Sequence, residues 1–378
     1  MYINNGKAIT AKEVNDVLAF SGISITQAML DLLLSRPRLE FSNLDSNPIR
    51  SDRFMQLIGT VRGKTVPSLR QQIRFMSTNK GHNLNSNWIV GFVDGDGSFA
   101  LSIFKHKDYK LGWCVLPSFI ITIHSKDLYL LESIQSFFGV GKIKRNSNRD
   151  IVYYTVSAVK ELMDVIIPFF EKHPLLTQKR ADFELFKMVV KIMSRKEHLK
   201  IEGLRKTIAI KVNMNQGLSN ELKLAFSDVI AVPRPIVELP KKDFDGYWIS
   251  GFTAAEGCFL VRIHKSSRRT LGETVALEFI LTQHNRDNKL LELFIKYFNC
   301  GRLSTSREIT NFIVSSFQDI NDIIIPFFQK YPLQSAKALD YADFCKVAEL
   351  IETKAHLTLE GLDEIKKIKD GMNKGREG

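Results

Sequence analysis

The feature that most constrains the fold of this 378-residue chain is an internal duplication. The stretch "NWIVGFVDGDGSFALSI" at residues 87–103 matches "YWISGFTAAEGCFLVRI" at residues 247–263. The match continues at the same offset from residues 117–143 to residues 277–303, and it extends further along both copies with a shift of two residues. A repeat of about 130 residues has the size of a domain, so we expect two similar halves.

The duplication predicts the domain organisation. We expect a first half-domain over residues 85–217 and a second over residues 247–378. Residues 218–246 contain three prolines and mixed charge, which is typical of a linker. Residues 1–80 lie outside the duplication and form an N-terminal extension.

The composition favours a globular protein with a polyanionic partner. The chain has 53 Lys and Arg against 41 Asp and Glu, a formal net charge of +12. This excess attracts nucleic acid, although a solvated basic surface gives the same count.

The four cysteines form no CxxC pair, so neither a disulfide framework nor a zinc site is expected. No apolar run of about 18 residues predicts a membrane helix, and the N-terminus lacks a secretory pattern.

Each copy changes its hydrophobic pattern in the same order. An apolar segment is followed by two alternating strands, an amphipathic helix, two further strands and a helical region. One helix is expected to run up to Pro168 or Pro326 in the respective copy, and another follows it. The order predicts an α+β fold in which each half carries a four-stranded antiparallel sheet.

The best-matched segments of the two copies predict helices over residues 88–97 and 248–257. Each segment has two small residues four positions apart: Gly91 with Gly95, and Gly251 with Ala255. Residues at this spacing lie on one helix face, and small residues there allow two backbones to approach closely. We therefore expect the two helices to pack side by side in parallel.

Parallel packing brings together the acids at the two helix ends. Asp96 aligns with Glu256, whereas Asp94 aligns with Ala254. Two carboxylates forced together repel each other unless they are protonated or bridged by cations. Oxygen ligands of this kind suit Mg²⁺, and metal held between two acids suits phosphodiester hydrolysis.

Two other interpretations of these acids were weighed. An acid followed by Gly at a helix end is often a cap or turn, but an acid duplicated at matched positions disfavours that explanation. The stretch "DGDGS" also begins like a calcium loop. Phe99 and Lys105 stand where such a loop requires Gly and Glu, so we exclude it.

The two segments resemble the motif of the LAGLIDADG homing endonucleases in their single-chain form. "IVGFVDGDG" at residues 89–97 and "ISGFTAAEG" at residues 249–257 stand for the nine-residue motif of that family. The resemblance covers roughly residues 85–378. It implies two αββαββα halves whose motif helices form the central interface, with the sheets forming a DNA-binding saddle.

The resemblance also implies the metal site. The eighth residue of the motif is the metal-binding acid in the family, which here is Asp96 and Glu256. The backbone carbonyls of Gly95 and Ala255 are implied to complete the coordination. Mg²⁺ is the implied cofactor, with Mn²⁺ or Ca²⁺ in the same sites. The sixth motif residue is usually not a metal ligand, so Ala254 should not abolish catalysis.

Three further catalytic residues follow from the same resemblance. Gln283 aligns with a polar residue that positions water or metal near the scissile phosphate, whereas the first copy has Ile123 there. Lys179 and Lys337 fall in the segment where the family often places an active-site lysine. A lysine on a solvated helix surface is the alternative for both.

Basic residues mark all four predicted hairpins, where a groove-reading β-ribbon needs them. A single charged hairpin tip is usually just solvated, but four equivalent basic tips indicate a surface that contacts phosphates. The predicted DNA-binding residues are Lys105, Lys107, Lys142, Lys144, Arg145, Arg262, Lys265, Arg268, Arg269, Arg302 and Arg307.

The N-terminal extension contains two capping-box patterns, Thr10 with Glu13 and Ser24 with Gln27, which predict helices. Proteins of this family are often translated in frame with an upstream exon or leader, so we interpret residues 1–80 in that way. We expect residues 1–75 to be dispensable for cleavage.

The leading interpretation is a monomeric, site-specific DNA endonuclease that promotes intron mobility. By resemblance it makes a double-strand break with short 3′ overhangs at a long pseudo-symmetric site. The implied location is a fungal mitochondrion, where synthesis inside the organelle removes the need for an import peptide. Two alternatives remain open at this point: a group I intron RNA maturase that uses the same basic surface, and a catalytically silent DNA-binding protein.

Overall fold

The computed structural model describes residues 2–4, 7–9, 84–146, 149–239 and 244–373. The chain divides into two compact units, Met1–Thr65 and Val66–Gly378. In the first unit, strands β1 (Tyr2–Asn4) and β2 (Lys7–Ile9) form an antiparallel pair. The helices predicted from the two capping boxes lie outside the described residues.

Within the second unit, both copies of the duplication fold with the same order of elements. The first copy contains α1 (Ser86–Asp96), β3 (Gly97–Lys105), β4 (Trp113–His124), α2 (Leu128–Phe138), β5 (Lys142–Arg145), β6 (Ile151–Val156), α3 (Val159–Glu161), α4 (Ile167–Lys172), α5 (Lys179–Ser194) and α6 (Ile201–Lys211). After α7 (Asn220–Ala225), the second copy contains α8 (Gly246–Glu256), β7 (Gly257–Lys265), β8 (Glu273–His284), α9 (Asn288–Phe298), β9 (Arg302–Thr305), β10 (Ile309–Val314), α10 (Phe317–Asp319), α11 (Ile325–Lys330), α12 (Lys337–Glu352) and α13 (Leu359–Asp370).

The strands form two antiparallel sheets of four, with the orders β3-β4-β6-β5 and β7-β8-β10-β9. Equivalent registers hold in both, since Phe99 pairs with Phe119 and Phe259 pairs with Phe279. These rings are fully buried within the hydrophobic core of the unit. The predicted α+β class and the two four-stranded sheets are therefore confirmed.

Each sheet buries one face and leaves the other more open. Along the first strand of each sheet, buried positions alternate with partly or fully exposed ones. The period of two follows from the pleat of a β-strand, in which successive side chains point to opposite faces. The more open face carries polar and basic side chains such as Ser102 and Arg262.

The two motif helices, α1 and α8, pack against each other through their glycines. A Cβ atom on Gly91 would lie 2.0 Å from the carbonyl oxygen of Trp248, and one on Gly251 would lie 1.9 Å from that of Trp88. Backbone therefore contacts backbone across the pair, which confirms the predicted strip of small residues. Both helices end one residue before their predicted ends, because the next glycine already begins a strand.

The helical region around the two prolines differs from its prediction. The helix does not stop at Pro168 or Pro326, because each proline lies in the first turn of a helix that continues from a π-helical turn. These turns, Leu162–Ile166 and Ile320–Ile324, widen the hydrogen-bonding pattern just ahead of each proline. A proline near a helix start removes no required N–H donor, so the chain passes through it.

Residues 218–239 connect the two copies and contact the first one. Arg234 contacts Asp182 of α5 at 2.8 Å, and Glu221 of α7 contacts Lys105 at 3.1 Å. The exact boundaries given for the half-domains and the linker remain predictions. Among the described residues, none of the helices has the length and apolarity needed to span a bilayer.

Candidate active site and nucleic-acid interface

The C-terminal ends of the motif helices bring Asp96 and Glu256 together. Each is the last residue of its helix, and a Cβ atom on Gly95 would lie 2.2 Å from the Cβ of Ala255. Burial and the nearby charge of Glu256 raise the pKa of Asp96 to about 6, although Lys337 and Lys179 oppose the shift. Burial also raises the pKa of Glu256. The predicted meeting of the two acids is thus present in the structure.

Two half-buried lysines lie beside these acids and hold the helix ends. The Lys179 Nζ donates to the carbonyls of Val93 at 2.8 Å and Gly95 at 2.6 Å. Burial lowers the pKa of this ammonium, while the neighbouring acids Asp94, Asp96 and Glu256 oppose that shift. The lysine is therefore part of the helix-end structure rather than a solvated surface residue.

Lys337 makes the equivalent contacts in the second half. Its Nζ donates to the carbonyls of Thr253 at 3.2 Å and Ala255 at 3.1 Å. Burial lowers its pKa, and the nearby charge of Asp96 opposes the shift. The carbonyls of Gly95 and Ala255, which are the implied metal ligands, thus already accept hydrogen bonds from ammonium groups. A carbonyl oxygen has two lone pairs, so their coordination of a metal remains a prediction.

Asp94 has a structural position that is distinct from that of Asp96. It is buried, and its carboxylate accepts from the amides of Leu176 at 2.9 Å and Thr177 at 3.1 Å. The Thr177 hydroxyl donates to it at 2.6 Å, and the indole N–H of Trp248 donates at 2.8 Å. These four donors use the carboxylate fully, which agrees with the distinction drawn from the sequence between Asp94 and the predicted metal-binding acid Asp96.

The second half has no equivalent of this network, because Ala254 replaces the acid. Trp88 is the counterpart of Trp248, and its indole nitrogen is buried without a hydrogen-bond partner. A cavity of about 410 Å³ is lined by Ala254, Ser335 and Lys337, together with Asp96 and other side chains. The candidate site is thus asymmetric at the position of the missing carboxylate.

A second asymmetry concerns Gln283. Its side chain hydrogen-bonds Glu256, and this bond opposes the burial that raises the pKa of that acid. The first half has Ile123 at the matching strand position, where it lines the cavity near Asp96. Among the described residues, Glu256 therefore has a side-chain amide partner from the sheet of its own half, and Asp96 does not.

Two further acids, which were not predicted from the sequence, organise the site. Asp127 accepts from the amide of Ala336 at 2.6 Å, and Asp287 accepts from the amide of Gln178 at 2.8 Å. Each acid therefore caps a helix of the opposite half. Their conservation between the two copies, in "HSKD" and "HNRD", was the available signal.

The acids and carbonyls at the helix ends are the groups available to hold a metal ion. Within the described part of the chain, no cluster of three or more His, Cys, Asp or Glu residues has metal-ligand geometry. Mg²⁺ is commonly bound through one or two carboxylates while it keeps several waters, so a pair of acids suffices. Burial and the charge of Glu256 raise the pKa of Asp96 despite the two lysines, so a bound cation would favour the charged form of this acid. The donor set therefore fits a hard divalent cation.

The predicted DNA-binding residues fall into three groups by position. Those whose strand register places them on the more open sheet faces are Lys142, Lys144, Arg262 and Arg302. Those in exposed turns between strands are Lys107, Arg268, Arg269 and Arg307. Those at exposed strand ends, in register with core-facing positions, are Lys105, Arg145 and Lys265.

Two of these basic side chains are already paired. The Nζ of Lys105 lies 3.1 Å from a carboxylate oxygen of Glu221 and 5.6 Å from the centre of the Trp113 ring. The Nε of Arg262 donates to Glu278 at 2.6 Å. Contact of any of these residues with DNA remains a prediction, and Lys105 has the least favourable position for it.

The fold and the paired acids define a two-repeat LAGLIDADG protein, and comparison with known proteins agrees. The family model described as "LAGLIDADG endonuclease" matches residues 89–190 and 249–348. These ranges contain both nine-residue motifs and both half-buried lysines. The chain belongs to the LAGLIDADG endonuclease family.

Two of the similar proteins come from one fungus. "Probable intron-encoded endonuclease 3" of Neurospora crassa is 40% identical over 282 residues, which is 74% of this chain and 52% of that protein. "Probable intron-encoded endonuclease 2" of the same species is 36% identical over 301 residues, 76% of this chain and 65% of that protein. The chain thus spans between half and two thirds of the length of these relatives.

Solved structures of similar proteins contain DNA. The meganuclease I-SmaMI bound to uncleaveable DNA is 41% identical, with a TM-score of 0.76 over 78% of this chain and 99% of that chain. I-SmaMI bound to an uncleaved target in the presence of calcium ions is also 41% identical, with a TM-score of 0.75 over 77% of this chain and 100% of that one. The resemblance stated from the sequence is therefore confirmed.

Proposed function

We propose that this chain is a site-specific homing endonuclease that hydrolyses both strands of a long, pseudo-symmetric DNA target. The observation that carries the proposal is the pair of acids, Asp96 and Glu256, that the two halves bring together at one helix interface. The similarity to I-SmaMI, whose structures contain DNA and calcium, supports DNA as substrate and a divalent cation as cofactor. We propose Mg²⁺ as the working ion and action as a monomer.

The acid pair would hold the cation, with the carbonyls of Gly95 and Ala255 beside it. When bound, a divalent cation activates water and stabilises the attacking and leaving oxygens of phosphodiester hydrolysis. The two carboxylates come from different halves, so each half supplies one acid to the centre. The helix pair fixes their separation, because its glycines leave no room for the backbones to shift closer.

Lys179 and Lys337 would stabilise charge on the scissile phosphates. Each ammonium has three N–H donors, and its contacts with two backbone carbonyls use two of them. The third N–H would donate to a phosphate oxygen. Because the surroundings are buried, this electrostatic contact is stronger than it would be in water.

The basic side chains on the open faces and in the turns would hold the duplex by its phosphates. Phosphate contacts fix the register, and base contacts in the major groove set the sequence preference. The Neurospora relatives are named as intron-encoded, and we propose the same origin and a role in intron mobility for this chain, in a fungal mitochondrion. The similar proteins reported above are named as endonucleases or meganucleases rather than maturases, and we propose no maturase function.

The test is cleavage of a duplex that joins the two exons flanking the host intron. In Mg²⁺ the wild type should cut both strands and leave short 3′ overhangs. Asp96→Asn and Glu256→Gln should lower the cleavage rate by about 100-fold or more, because each removes a metal-binding charge. Glu202→Gln, which changes an exposed acid on α6, is the charge-matched control and should cut normally.

Two outcomes would contradict the proposal. If Asp96→Asn and Glu256→Gln cut at the wild-type rate, the acids are not the metal site. If the wild type binds the duplex in Ca²⁺ and never cuts it in Mg²⁺ or Mn²⁺, the chain is a DNA-binding protein without nuclease activity.

A further inference from the structure

Two helices, α5 and α12, begin with the half-buried lysines Lys179 and Lys337, and we refer to them as the lysine helices. Each is capped by an acid from the other half. Asp127 follows strand β4 of the first half and accepts from the Ala336 amide at the start of α12, 2.6 Å away. Asp287 follows strand β8 of the second half and accepts from the Gln178 amide at the start of α5, 2.8 Å away.

Each of these contacts lies one residue before an active-site lysine. Ala336 directly precedes Lys337, and Gln178 directly precedes Lys179. The backbone amide of Lys337 donates to the Ser335 hydroxyl at 3.3 Å, and that of Lys179 donates to the Thr177 hydroxyl at 3.2 Å. A shift of the first turn of either lysine helix would therefore displace the ammonium group from the motif-helix carbonyls.

A further cross-half contact strengthens the connection near Asp127. The Tyr129 hydroxyl donates to the Gln334 carbonyl at 3.2 Å. Tyr129 lies in α2 of the first half, whereas Gln334 belongs to the segment that leads into α12. The start of the second lysine helix is thus held from the first half by two side chains.

The two lysine helices are not held equally. At the start of α5, Asp94 accepts from the amides of Leu176 and Thr177 in addition to the contact of Asp287 with Gln178. The matching acid in the second half is absent, because Ala254 offers no acceptor to the equivalent amides. Asp127 is left to support α12 without the second carboxylate that α5 has.

We propose that Asp127 is a positioning residue for Lys337, that Asp287 is the positioning residue for Lys179, and that α12 depends on its cross-half acid more strongly than α5 does. The inference rests on the proposed endonuclease function. It predicts that an acid in one half controls the strand cut that uses the lysine of the other half. Neither acid touches the reacting atoms in this account.

The experiment measures single-turnover cleavage of the joined-exon duplex by the full chain, with each strand labelled separately at its 5′ end. Lys337→Met and Lys179→Met first establish how loss of each lysine changes the ratio of the two strand rates. Asp127→Ala should then change that ratio in the direction of Lys337→Met, by about tenfold or more, since small displacements of a catalytic group have large effects. Asp287→Ala should change it in the direction of Lys179→Met, and by a smaller factor.

Three controls separate positioning from loss of structure. Glu132→Ala removes an exposed acid from α2, close in sequence to Asp127, and should leave the ratio unchanged. The affinity for the duplex in Ca²⁺ should stay near that of the wild type in all folded variants. Asp127→Asn keeps an acceptor oxygen and should change the ratio less than Asp127→Ala.

A rescue variant tests the asymmetry directly and serves if Asp127→Ala unfolds. Ala254→Asp places a carboxylate beside the cavity that Ala254 shares with Ser335 and Asp127. In the Asp127→Ala background it should restore both folding and the ratio towards the wild type, because it gives the Gln334 and Ser335 amides an acceptor.

The outcomes distinguish the inference from the proposed function. If the wild type fails to cut, the endonuclease proposal itself is wrong. If the wild type cuts but Asp127→Ala slows both strands equally, or shifts the ratio towards Lys179→Met, the inference is overturned. An equal or greater effect of Asp287→Ala overturns the claim that α12 is the more dependent helix.

Discussion

The indole N–H of Trp248 donates to the carboxylate of Asp94 across the interface between the halves, at 2.8 Å. The counterpart of this indole, that of Trp88, is buried and has no partner, because the residue that should receive it is Ala254. One interface therefore contains a satisfied and an unsatisfied version of the same contact. A buried donor without an acceptor loses its hydration with no compensation.

This difference predicts the result of a double-mutant cycle. Ala254→Asp supplies an acceptor to Trp88, and Trp88→Phe removes the donor. We expect a favourable coupling of about 1 kcal/mol between the two positions, which is the size of one buried hydrogen bond. Urea unfolding of the four proteins measures it. Zero coupling would mean that residue 254 does not face the Trp88 indole.

Substitution of the interface glycines should destabilise the protein strongly. Gly91→Ala and Gly251→Ala each place a methyl group about 2 Å from a backbone carbonyl oxygen of the partner helix. We expect the free energy of unfolding to fall by about 3 kcal/mol, because the backbones must separate. Gly112→Ala is the control for a substitution without a clash, since no atom lies within 4 Å of the site and its φ of +74° costs Ala only about 1 kcal/mol. A loss at Gly91 no larger than at Gly112 would contradict close helix contact.

The half-buried acid pair predicts a pH-dependent gain in stability from Asp96→Asn in EDTA. The pKa of Asp96 rises from 3.8 to about 6 on folding. A raised pKa favours the protonated form in the folded state, so stability from this group is complete below pH 3.8 and is lost as the pH rises through about 6. Asparagine cannot ionise, so the variant should exceed the wild type by about 2 kcal/mol at pH 7. Thermal unfolding between pH 4 and 8 measures this difference.

Asp150→Asn, at an exposed turn, is the matched control and should follow the wild-type pH profile. Parallel profiles for Asp96→Asn and the wild type would show that Asp96 is not forced against Glu256 in the protein without metal. Because the same substitution should abolish cleavage, stability and activity are expected to change in opposite directions.

The basic residues of the open sheet faces should contribute differently from Lys105 to DNA binding. Lys142→Ala and Arg302→Ala should each reduce the slope of log affinity against log salt by about one, as expected when one phosphate contact is lost. Lys105→Ala should change the slope less, because its ammonium already contacts Glu221. Fluorescence anisotropy in Ca²⁺ at several salt concentrations measures the slopes. Equal slopes in all three variants would contradict the assignment by sheet face.

The sequence predicted the large-scale fold well, for an identifiable physical reason. Duplication revealed the two halves, and the alternation of apolar residues predicted the strands that pair in each sheet. Small residues four positions apart, Gly91 with Gly95 and Gly251 with Ala255, predicted close helix packing, because they lie on one face of each helix and allow the backbones to approach. In the alignment of the two copies, Asp94 corresponds to Ala254 whereas Asp96 corresponds to Glu256. This difference distinguished the structural acid, Asp94, from the acid that lies beside Glu256.

The contacts that sequence could not predict join distant segments. Lys105 was predicted to bind DNA from a hairpin tip, but its side chain contacts Glu221, which lies in the segment between the halves. The capping of α12 by Asp127 joins residues 209 positions apart. Local patterns describe helices and strands, whereas these contacts depend on how the halves pack. The shifted pKa of Asp96 likewise depends on burial that only the packed helices produce.

The crossed caps bear on the exchange of halves between related nucleases. A half-domain transplanted from this chain would carry its own motif acid and lysine but would leave behind the residue that supports its lysine helix. A chimera built on the second half needs a partner with an acid at the position of Asp127, whereas one built on the first half keeps Asp94 and tolerates a poorer match. When target specificity is engineered by exchanging halves, the first half of this chain would therefore accept a wider choice of partner halves than the second.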